Sequence, residues 1–169
     1  IWEKNLDNID AINSRTRLGN QIATLGNAEN ESFGLEMGYG YPNSPIIWGE
    51  DEAYPDDPLH YHPTTLPGYR APSLYLQNGT AIYDLLGKGF TLLNFAPDRI
   101  NAGIFGITAE KLGLPLELIS IVDDHARDLY QRDLILLRPD QHVCWRGNKI
   151  PENVHSLFAR VSGRVTHKD

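Results

Sequence analysis

The chain has 169 residues, of which 41% are hydrophobic, and this is enough to build one packed domain with an appended arm. The formal net charge of −7 excludes the broad basic face that duplex-binding proteins use, so we expect no nucleic-acid partner. The single cysteine excludes an internal disulfide and favours a cytoplasmic location, and no apolar run is long enough for a membrane span.

The first part of the chain predicts an arm and a linker. Apolar residues at steps of three and four predict helix over residues 1–26, interrupted around Asn13-Ser14. Residues 33–48 are dense in aromatic and apolar side chains between Gly and Pro, which predicts short strands and turns. Residues 49–58, GEDEAYPDDP, predict a solvated acidic loop. The chain begins at Ile1 rather than methionine, which indicates a processed product or a fragment.

The remainder predicts alternating strands and helices. Turn residues such as Asn78-Gly79 and Gly113, and strands rich in branched residues, mark the boundaries. The expected elements in chain order are a hairpin over 73–83, a strand over 90–95, a helix capped by Asp98 and ending near Leu112, a strand over 116–122, two strands over 133–137 and 143–145, and a helix opened by Pro151 with Val154, Leu157, Phe158 and Val161 on its apolar face.

This order predicts an α/β fold with a mixed sheet and flanking helices, as in thioredoxin-like proteins. The strand–helix–strand unit implies a parallel pair, and the turn at residues 138–141 implies an antiparallel one. The position of the thiol pair in that fold reads Ala96-Pro97-Asp98-Arg99 here, and residues 131–132 lack the usual proline. Both parts of a thiol-exchange site are missing, so we expect no redox activity. The predicted division is an arm and linker over residues 1–58 and a thioredoxin-like domain over 59–169.

The stretch LLRPDQHVCWRG contains Asp140, His142 and Cys144, the residue types of a cysteine nucleophile with its base and orienting acid. A nucleophilic thiol needs exposure and an electropositive site. Cys144 lies within a predicted strand, where a buried structural cysteine is the commoner case. We therefore expect no catalytic residue here, and we expect His142, Cys144 and Arg146 to share one face of the strand.

Other candidate sites are weak. His60 and His62 are two zinc-type ligands, but a third would have to come from afar, for instance Asp56, Asp57 or His125, so no metal is expected. Asp123 and Asp124 suit a helix cap. Gly38-Tyr39-Gly40 and Gly87-Lys88-Gly89 lack the third glycine and the strand–helix setting of a dinucleotide-binding turn, so no cofactor-binding residue is predicted.

Several spaced motifs resemble one family. They are Tyr61-His62-Pro63-Thr64-Thr65, Pro67-Gly68-Tyr69-Arg70-Ala71-Pro72, residues 84–93 (DLLGKGFTLL) and residues 137–146 (LRPDQHVCWR), preceded by GLEMGYGYPNSPII from Gly34. Together they resemble the C-terminal region of FAD-dependent aromatic hydroxylases of the phenol hydroxylase, dichlorophenol monooxygenase and polyketide hydroxylase group. The sequence departs from the family at Ser73, where histidine is common, and at Cys144, where a small residue such as alanine is common.

The resemblance implies an enzyme that hydroxylates a phenol-like ring with FAD, NAD(P)H and oxygen, whose flavin domain precedes this chain. This part would then be structural, would pack on that missing N-terminal domain, and would contribute to a homo-oligomer. Arg70, after a Pro-Gly turn, and Asp84, before a tight bend, are expected to anchor the linker and hairpin to the sheet by charge-assisted hydrogen bonds.

Two alternatives remain open at this point. The chain could be a stand-alone, redox-inactive thioredoxin-like interaction module, since an apolar arm that seeks a partner suits either role. It could also be a small independent enzyme that uses His60, His62 or Cys144.

Overall fold

The structure is a computed structural model that describes residues 8–30, 32–50, 52, 54 and 57–164. Contacts divide the chain into two compact units. The first comprises residues up to Met37 together with 56–61, and the second comprises Gly38–Pro55 and all residues from His62 onward. The predicted boundary at residue 58 stays a prediction.

The first unit is helical. Helix α1 spans Ile9–Asn30, and helix α2 spans Phe33–Gly38 and reaches the first residue of the second unit. The interruption predicted at Asn13-Ser14 is wrong, because α1 runs through both residues, whose helix propensities are only moderately unfavourable. The short strand predicted from residue 33 is also wrong. Hydrogen bonds from Glu36 N to Ser32 O and from Ser32 Oγ to the Glu36 carboxylate start a helix there instead.

The second unit contains a four-stranded mixed sheet in the order β2-β1-β3-β4. Strand β1 pairs parallel with β2 and antiparallel with β3, and β3 pairs antiparallel with β4. The elements are β1 (Phe90–Asn94), α3 (Gly103–Lys111), β2 (Leu116–Ser120), α4 (Asp124–Tyr130), β3 (Leu134–Leu137), β4 (Val143–Gly147) and α5 (Val154–Val161), preceded by a short 3-10 helix (Ile82–Leu85). The mixed α/β class is confirmed. The thioredoxin-like assignment stays a prediction that this order and topology support.

Both faces of the inner strands β1 and β3 are buried, so these strands are predominantly apolar. Leu92 and Leu136 point to the face covered by α3 and α5, with Phe105, Leu157 and Phe158. Leu93 and Ile135 point to the opposite face, toward Ala126 and Tyr130 of α4 and Ile82 of the 3-10 helix. The predicted apolar face of α5 is confirmed, although the helix begins at Val154 and is capped by Asn153 rather than opened by Pro151.

Helix α3 differs from its prediction at its start. It begins at Gly103, and not at Asp98, because the Asn94 side chain stabilises a turn after β1. Its Oδ1 accepts a hydrogen bond from Ala96 N, and its Nδ2 donates to Ile100 O. Within α3, Phe105 is buried, whereas Ile104 and Ile107 are exposed.

The hairpin predicted over residues 73–83 is partly correct. Tyr75 and Ala81 form a bridge, and Gly79 adopts a φ of +82° that an L-residue with a side chain rarely adopts. The second arm ends at once, since the 3-10 helix starts at Ile82. The result is a tight turn followed by a helical corner.

The outer edge of β4 is covered by irregular segments of the same unit. Trp48 N donates to Cys144 O, Gly68 N donates to Val143 O, and Val143 N donates to Tyr69 O. Gly68 has a φ of +96°, and a Cβ there would lie 2.5 Å from the Pro42 Cα, so only glycine allows the two segments to approach. These segments bring acidic and aromatic side chains to β4.

Candidate anchoring site

The Arg146 side chain of β4 is the centre of a buried polar cluster. Its exposed fraction is 0%, and its guanidinium forms a forked pair with Glu50, from Nε to Oε1 at 3.2 Å and from Nη2 to Oε2 at 2.8 Å. Nη2 also donates to Glu52 Oε2 at 2.7 Å. Nη1 donates to Thr65 Oγ1 at 3.2 Å and to Gln131 Oε1 at 3.4 Å. Each of the three guanidinium nitrogens therefore has an acceptor.

A buried guanidinium is stable only when its charge and its donors are compensated. Arg146 meets this condition through two carboxylates, and Arg132 Nη2 adds a 3.4 Å contact to Glu50. Thr65 continues the network, because its hydroxyl donates to Tyr130 O at 2.6 Å. The cluster thus ties β4, the end of α4, Glu50 and Glu52 together.

The prediction of a solvated acidic loop is incomplete, because Glu50 and Glu52 both bind the buried Arg146, although the Glu52 side chain is 55% exposed. The Glu50 side chain is 30% exposed, since the Arg146 and Arg132 side chains lie against it. A run of acidic residues gives no signal for a distant arginine partner. The sequence offers one indication of this pair. Arg146 lies in an otherwise apolar strand, and a buried guanidinium needs an anion nearby.

A second cluster lies at the β3–β4 turn. The Tyr41 hydroxyl donates to Asp140 Oδ2 at 2.6 Å, His142 N donates to Asp140 Oδ1 at 3.2 Å, and Arg138 Nε lies 3.4 Å from Oδ2. Burial raises the pKa of Tyr41, and the hydrogen bond to the Asp140 anion raises it further. Burial alone would raise the pKa of Asp140. The Tyr41 hydroxyl and the His142 amide outweigh burial, so the pKa lies below its usual value.

The His142 ring is enclosed by two tyrosines. It stacks on Tyr41 with ring centroids 4.7 Å apart and lies against Tyr39 at 5.2 Å. Nδ1 lies 3.0 Å from Asp140 O. A carbonyl oxygen only accepts, so Nδ1 carries the proton and donates. Nε2 is buried without a hydrogen-bond partner among the described residues, so the ring serves as packing with one polar contact.

Cys144 is buried and does not form a catalytic pair. Its exposed fraction is 0%, its thiol donates to Leu136 O at 3.3 Å, and burial raises the pKa of the thiol far above its usual value. The strand bulges here: Leu136 pairs with Trp145 and Leu137 pairs with Val143, so Cys144 is the extra residue. Cys144 and Trp145 therefore lie in the same core, and the predicted shared face of His142, Cys144 and Arg146 is wrong.

Arg70 and Asp84 have different environments. Arg70 donates from Nε and Nη2 to Gln141 Oε1, at 3.1 and 2.8 Å, and its guanidinium lies 5.1 Å from the centre of the Tyr83 ring. The acceptor is a neutral amide rather than a carboxylate. The Asp84 side chain is exposed and makes no hydrogen bond within the described part of the chain. An anchoring role for either residue stays a proposal, with contacts that favour Arg70.

The remaining candidate site residues contact other residues of the chain. Asp123 caps α4, since Oδ1 accepts from Ala126 N at 2.9 Å, and Oδ2 accepts from Gln77 N at 2.7 Å. These amides lower the pKa of Asp123. In the first unit the exposed His60 ring contacts Asp57 at 3.0 Å. Across the described residues, three or more His, Cys, Asp or Glu side chains do not come together as a metal site.

The crossover from β1 to α3 is where a flavin-binding phosphate turn would lie in an open α/β sheet. Residues 95–102 read FAPDRINA, and the Asn94 side chain takes up Ala96 N and Ile100 O in that turn. Gly103 N donates to Asn101 Oδ1. No glycine-rich cradle is present, and the backbone groups of Ala96, Ile100 and Gly103 are already bound by asparagine side chains, so this crossover does not fit FAD.

Comparison with known proteins identifies the family. Residues 64–165 match the family model described as aromatic-ring hydroxylase, C-terminal. The chain therefore belongs to this family and corresponds to its C-terminal region. This confirms the resemblance that the motifs between residues 34 and 146 indicated.

The similar proteins are much longer than this chain. The FAD-dependent monooxygenase apdD of Emericella nidulans is 38% identical over 144 residues, which are 79% of this chain and 23% of that protein. Phenol 2-monooxygenase of Pseudomonas sp. is 32% identical over 164 residues, which are 83% of this chain and 27% of that protein. The chain thus spans about a quarter of the length of these curated relatives.

Solved structures of flavin enzymes share the fold. Native and K252c-bound RebC-10x matches with a TM-score of 0.79 and 30% identity over 94% of this chain and 30% of that chain. The flavin-dependent monooxygenase PieE, in complex with FAD and substrate, matches with a TM-score of 0.77 and 26% identity over 95% of this chain and 31% of that chain. None of the helices among the described residues is long and apolar enough to cross a membrane.

Proposed function

We propose that this chain is the C-terminal part of an FAD-dependent aromatic-ring monooxygenase. The observation that carries the proposal is the family match over residues 64–165. The curated relatives are monooxygenases, and the chain spans about a quarter of their length. The whole protein would hydroxylate a phenol-like ring with NAD(P)H and oxygen, as the names of the phenol and 2,4-dichlorophenol monooxygenases suggest. FAD would supply the oxygen-activating chemistry from an N-terminal domain.

Within that enzyme this chain is a structural part and not a catalytic one. Three features support this role. The Arg146 donors are satisfied by residues of the chain, the Cys144 thiol is buried with a raised pKa, and the β1–α3 turn lacks a glycine-rich phosphate cradle. In the second unit Arg146 holds Glu50 and Glu52 against β4, and backbone hydrogen bonds hold Trp48, Gly68 and Tyr69 there. We assign no catalytic, cofactor-binding or metal-binding residue to the chain.

The partner in this proposal is the N-terminal flavin domain, and a second copy of the chain is a further partner. The α1 helix favours packing on another surface, because five of its large apolar side chains are exposed: Ile9, Ile12, Leu18, Ile22 and Leu25. A cytoplasmic location remains a proposal that rests on the single cysteine.

The coding region upstream of Ile1 tests the proposal. We expect an open reading frame that encodes a strand, a Gly-x-Gly-x-x-Gly turn and a helix, followed later by a Gly-Asp segment. A frame that starts close to Ile1, with no flavin gene beside it, would contradict the proposal. That result would favour the alternative, a stand-alone interaction module.

A further inference from the structure

The carboxyl ends of β1 and β2 lie side by side. The two strands are parallel, and Asn94 at the end of β1 pairs with Ser120 at the end of β2. From these ends the chain turns to opposite faces of the sheet. Strand β1 leads to α3, which packs on the face of Leu92, and β2 leads to α4, which packs on the face of Leu93. Connections that diverge in this way leave a crevice between the strand ends, and open α/β sheets bind their ligands there.

A cavity of about 390 Å³ lies in this crevice. It extends from the strand ends to the start of α3. The volume is at the lower end of the range for small-molecule sites, which is about 300–1,000 Å³. The cavity therefore suits a molecule of about one ring rather than a dinucleotide. Its lining combines apolar side chains with polar ones: Pro97, Ile100 and Leu118, and Asn94, Asn101 and Ser120.

The polar side chains of the lining retain unused hydrogen-bonding capacity. Asn94 is only 5% exposed, and one of the two hydrogens on Nδ2 is used, in a 2.8 Å bond to Ile100 O. Asn101 Oδ1 accepts from Gly103 N at 3.0 Å, whereas Asn101 Nδ2 donates to no other described residue. The Ser120 hydroxyl also forms no hydrogen bond within the described part of the chain. The cavity thus offers donors to a ligand.

The lining contains no charged side chain among the described residues. The first amide of α3 adds no anion site, because Gly103 N is already bound by Asn101. An ionised ligand would lose hydration in this cavity without gaining a counter-charge, which is costly. A wholly apolar ligand would displace water from the amide and hydroxyl groups without replacing its hydrogen bonds. The lining therefore favours a neutral molecule with an oxygen acceptor.

We propose that this cavity binds a small uncharged molecule of about one ring that carries a hydroxyl or carbonyl oxygen. The ring lies against Pro97, Ile100 and Leu118, and the oxygen accepts hydrogen bonds from Asn101 Nδ2 and the Ser120 hydroxyl. This inference goes beyond the proposed function and does not depend on flavin. All residues of the site belong to the second unit, so the chain contains the complete site.

Titration of the ¹⁵N-labelled 169-residue chain with phenol, followed by NMR, tests the proposal. Phenol is the simplest aromatic ring with one hydroxyl, and it is neutral near pH 7. We expect saturable shifts of the Asn94, Asn101 and Ser120 amide signals with a Kd on the order of 1 mM. Toluene lacks the oxygen and benzoate carries a charge, so each should bind at least about fivefold more weakly than phenol.

Two variants test the polar contacts. Asn101→Asp keeps an oxygen that accepts from Gly103 N but removes the Nδ2 donor, and Ser120→Ala removes the hydroxyl. Each should weaken phenol binding about fivefold, the effect of one net hydrogen bond. Asn78→Asp is the matched control. It makes the same chemical change in a side chain whose Oδ1 accepts from Thr80 N at 3.0 Å, in a turn outside the cavity, and should keep the affinity of the wild type.

Three results would overturn the proposal: phenol shifts that do not saturate or that map away from the cavity, benzoate binding as tight as phenol binding, and equal losses of affinity in Asn78→Asp and Asn101→Asp. A well-dispersed spectrum shows that each variant is folded. If Asn101→Asp does not fold, Ser120→Ala decides. Unchanged phenol affinity in a folded Ser120→Ala would then overturn the assigned contacts.

Discussion

The Arg146 guanidinium and the Glu50 carboxylate form a forked ion pair between residues that are 96 positions apart in the chain. The pair joins the edge strand of the sheet to a segment that has no regular secondary structure. Because the Arg146 side chain is completely buried, the segment cannot detach without leaving a cation in the core. The linker around Glu50 is therefore an integral part of the second unit.

Arg146→Ala should be the most destabilising single substitution in this cluster. It leaves the Glu50 carboxylate without its main partner and the Thr65 and Gln131 oxygens without a donor. Breaking a buried pair from one side costs about 3–5 kcal/mol. Urea denaturation of the wild-type and variant chains measures the change. Arg132→Ala, which removes only a 3.4 Å contact to Glu50, is the control and should cost less than about 1 kcal/mol. Equal effects of the two substitutions would contradict the role of Arg146.

Arg70 and Asp84 should differ in their effect on stability. Arg70→Ala removes two hydrogen bonds to Gln141 and the contact with the Tyr83 ring, so we expect a loss of about 1–2 kcal/mol and a lower melting temperature. Asp84→Ala removes an exposed carboxylate and should change stability by less than about 0.5 kcal/mol. Thermal unfolding followed by circular dichroism compares them. An unchanged melting temperature for Arg70→Ala would refute its anchoring role.

The Cys144 thiol should be unreactive in the folded chain. It is fully buried, it lies on a strand bulge, and burial raises its pKa, so very little thiolate exists near neutral pH. We expect a thiol-specific chromogenic reagent to label the chain rapidly in urea and only at the rate of unfolding in buffer. Rapid stoichiometric labelling in buffer would show that the Cys144 thiol is accessible, and it would contradict its assignment as a buried structural residue.

Asp123 should make the stability of the chain sensitive to acid. Its folded-state pKa lies below the usual 3.8, so its charged form stabilises the fold at all pH values above the unfolded pKa. That contribution is lost as the pH falls from 3.8 through the folded pKa. Asp123→Asn retains a capping oxygen but has no charge. The difference in unfolding free energy between wild type and Asp123→Asn should be constant above about pH 5 and shrink below it. A difference that stays constant down to pH 2 would contradict this assignment.

The strands were the most predictable part of the fold. The branched run at 116–120, the apolar run at 90–94 and the turn at 138–141 each carry a local signal, and the structure contains the corresponding strands. The start of α3 could not be predicted this way. Asp98 is a good capping residue by type, but the Asn94 side chain binds the turn and delays the helix to Gly103. A side-chain contact across six residues has no periodicity to reveal it.

The anchoring site was less predictable than the strands. Arg146 was visible as a charge in an apolar strand, but its acceptors Glu50 and Glu52 lie in a run that reads as a solvated loop. The burial of Cys144 could be predicted from its position in a strand. The bulge that places Cys144 in the same core as Trp145 could not be predicted. Contacts between residues far apart in the chain depend on tertiary packing, and no local sequence pattern predicts them.

Flavin content and turnover give the most direct test of the central claim, that this chain is a structural part of a flavin hydroxylase. The 169-residue chain and the longest protein encoded at its locus should each be purified, mixed with FAD and assayed for NAD(P)H oxidation with a phenol. We predict that the longer protein retains FAD and forms a hydroxylated product, while the chain alone retains no flavin and has no activity. Flavin retention or hydroxylation by the chain alone would contradict the account.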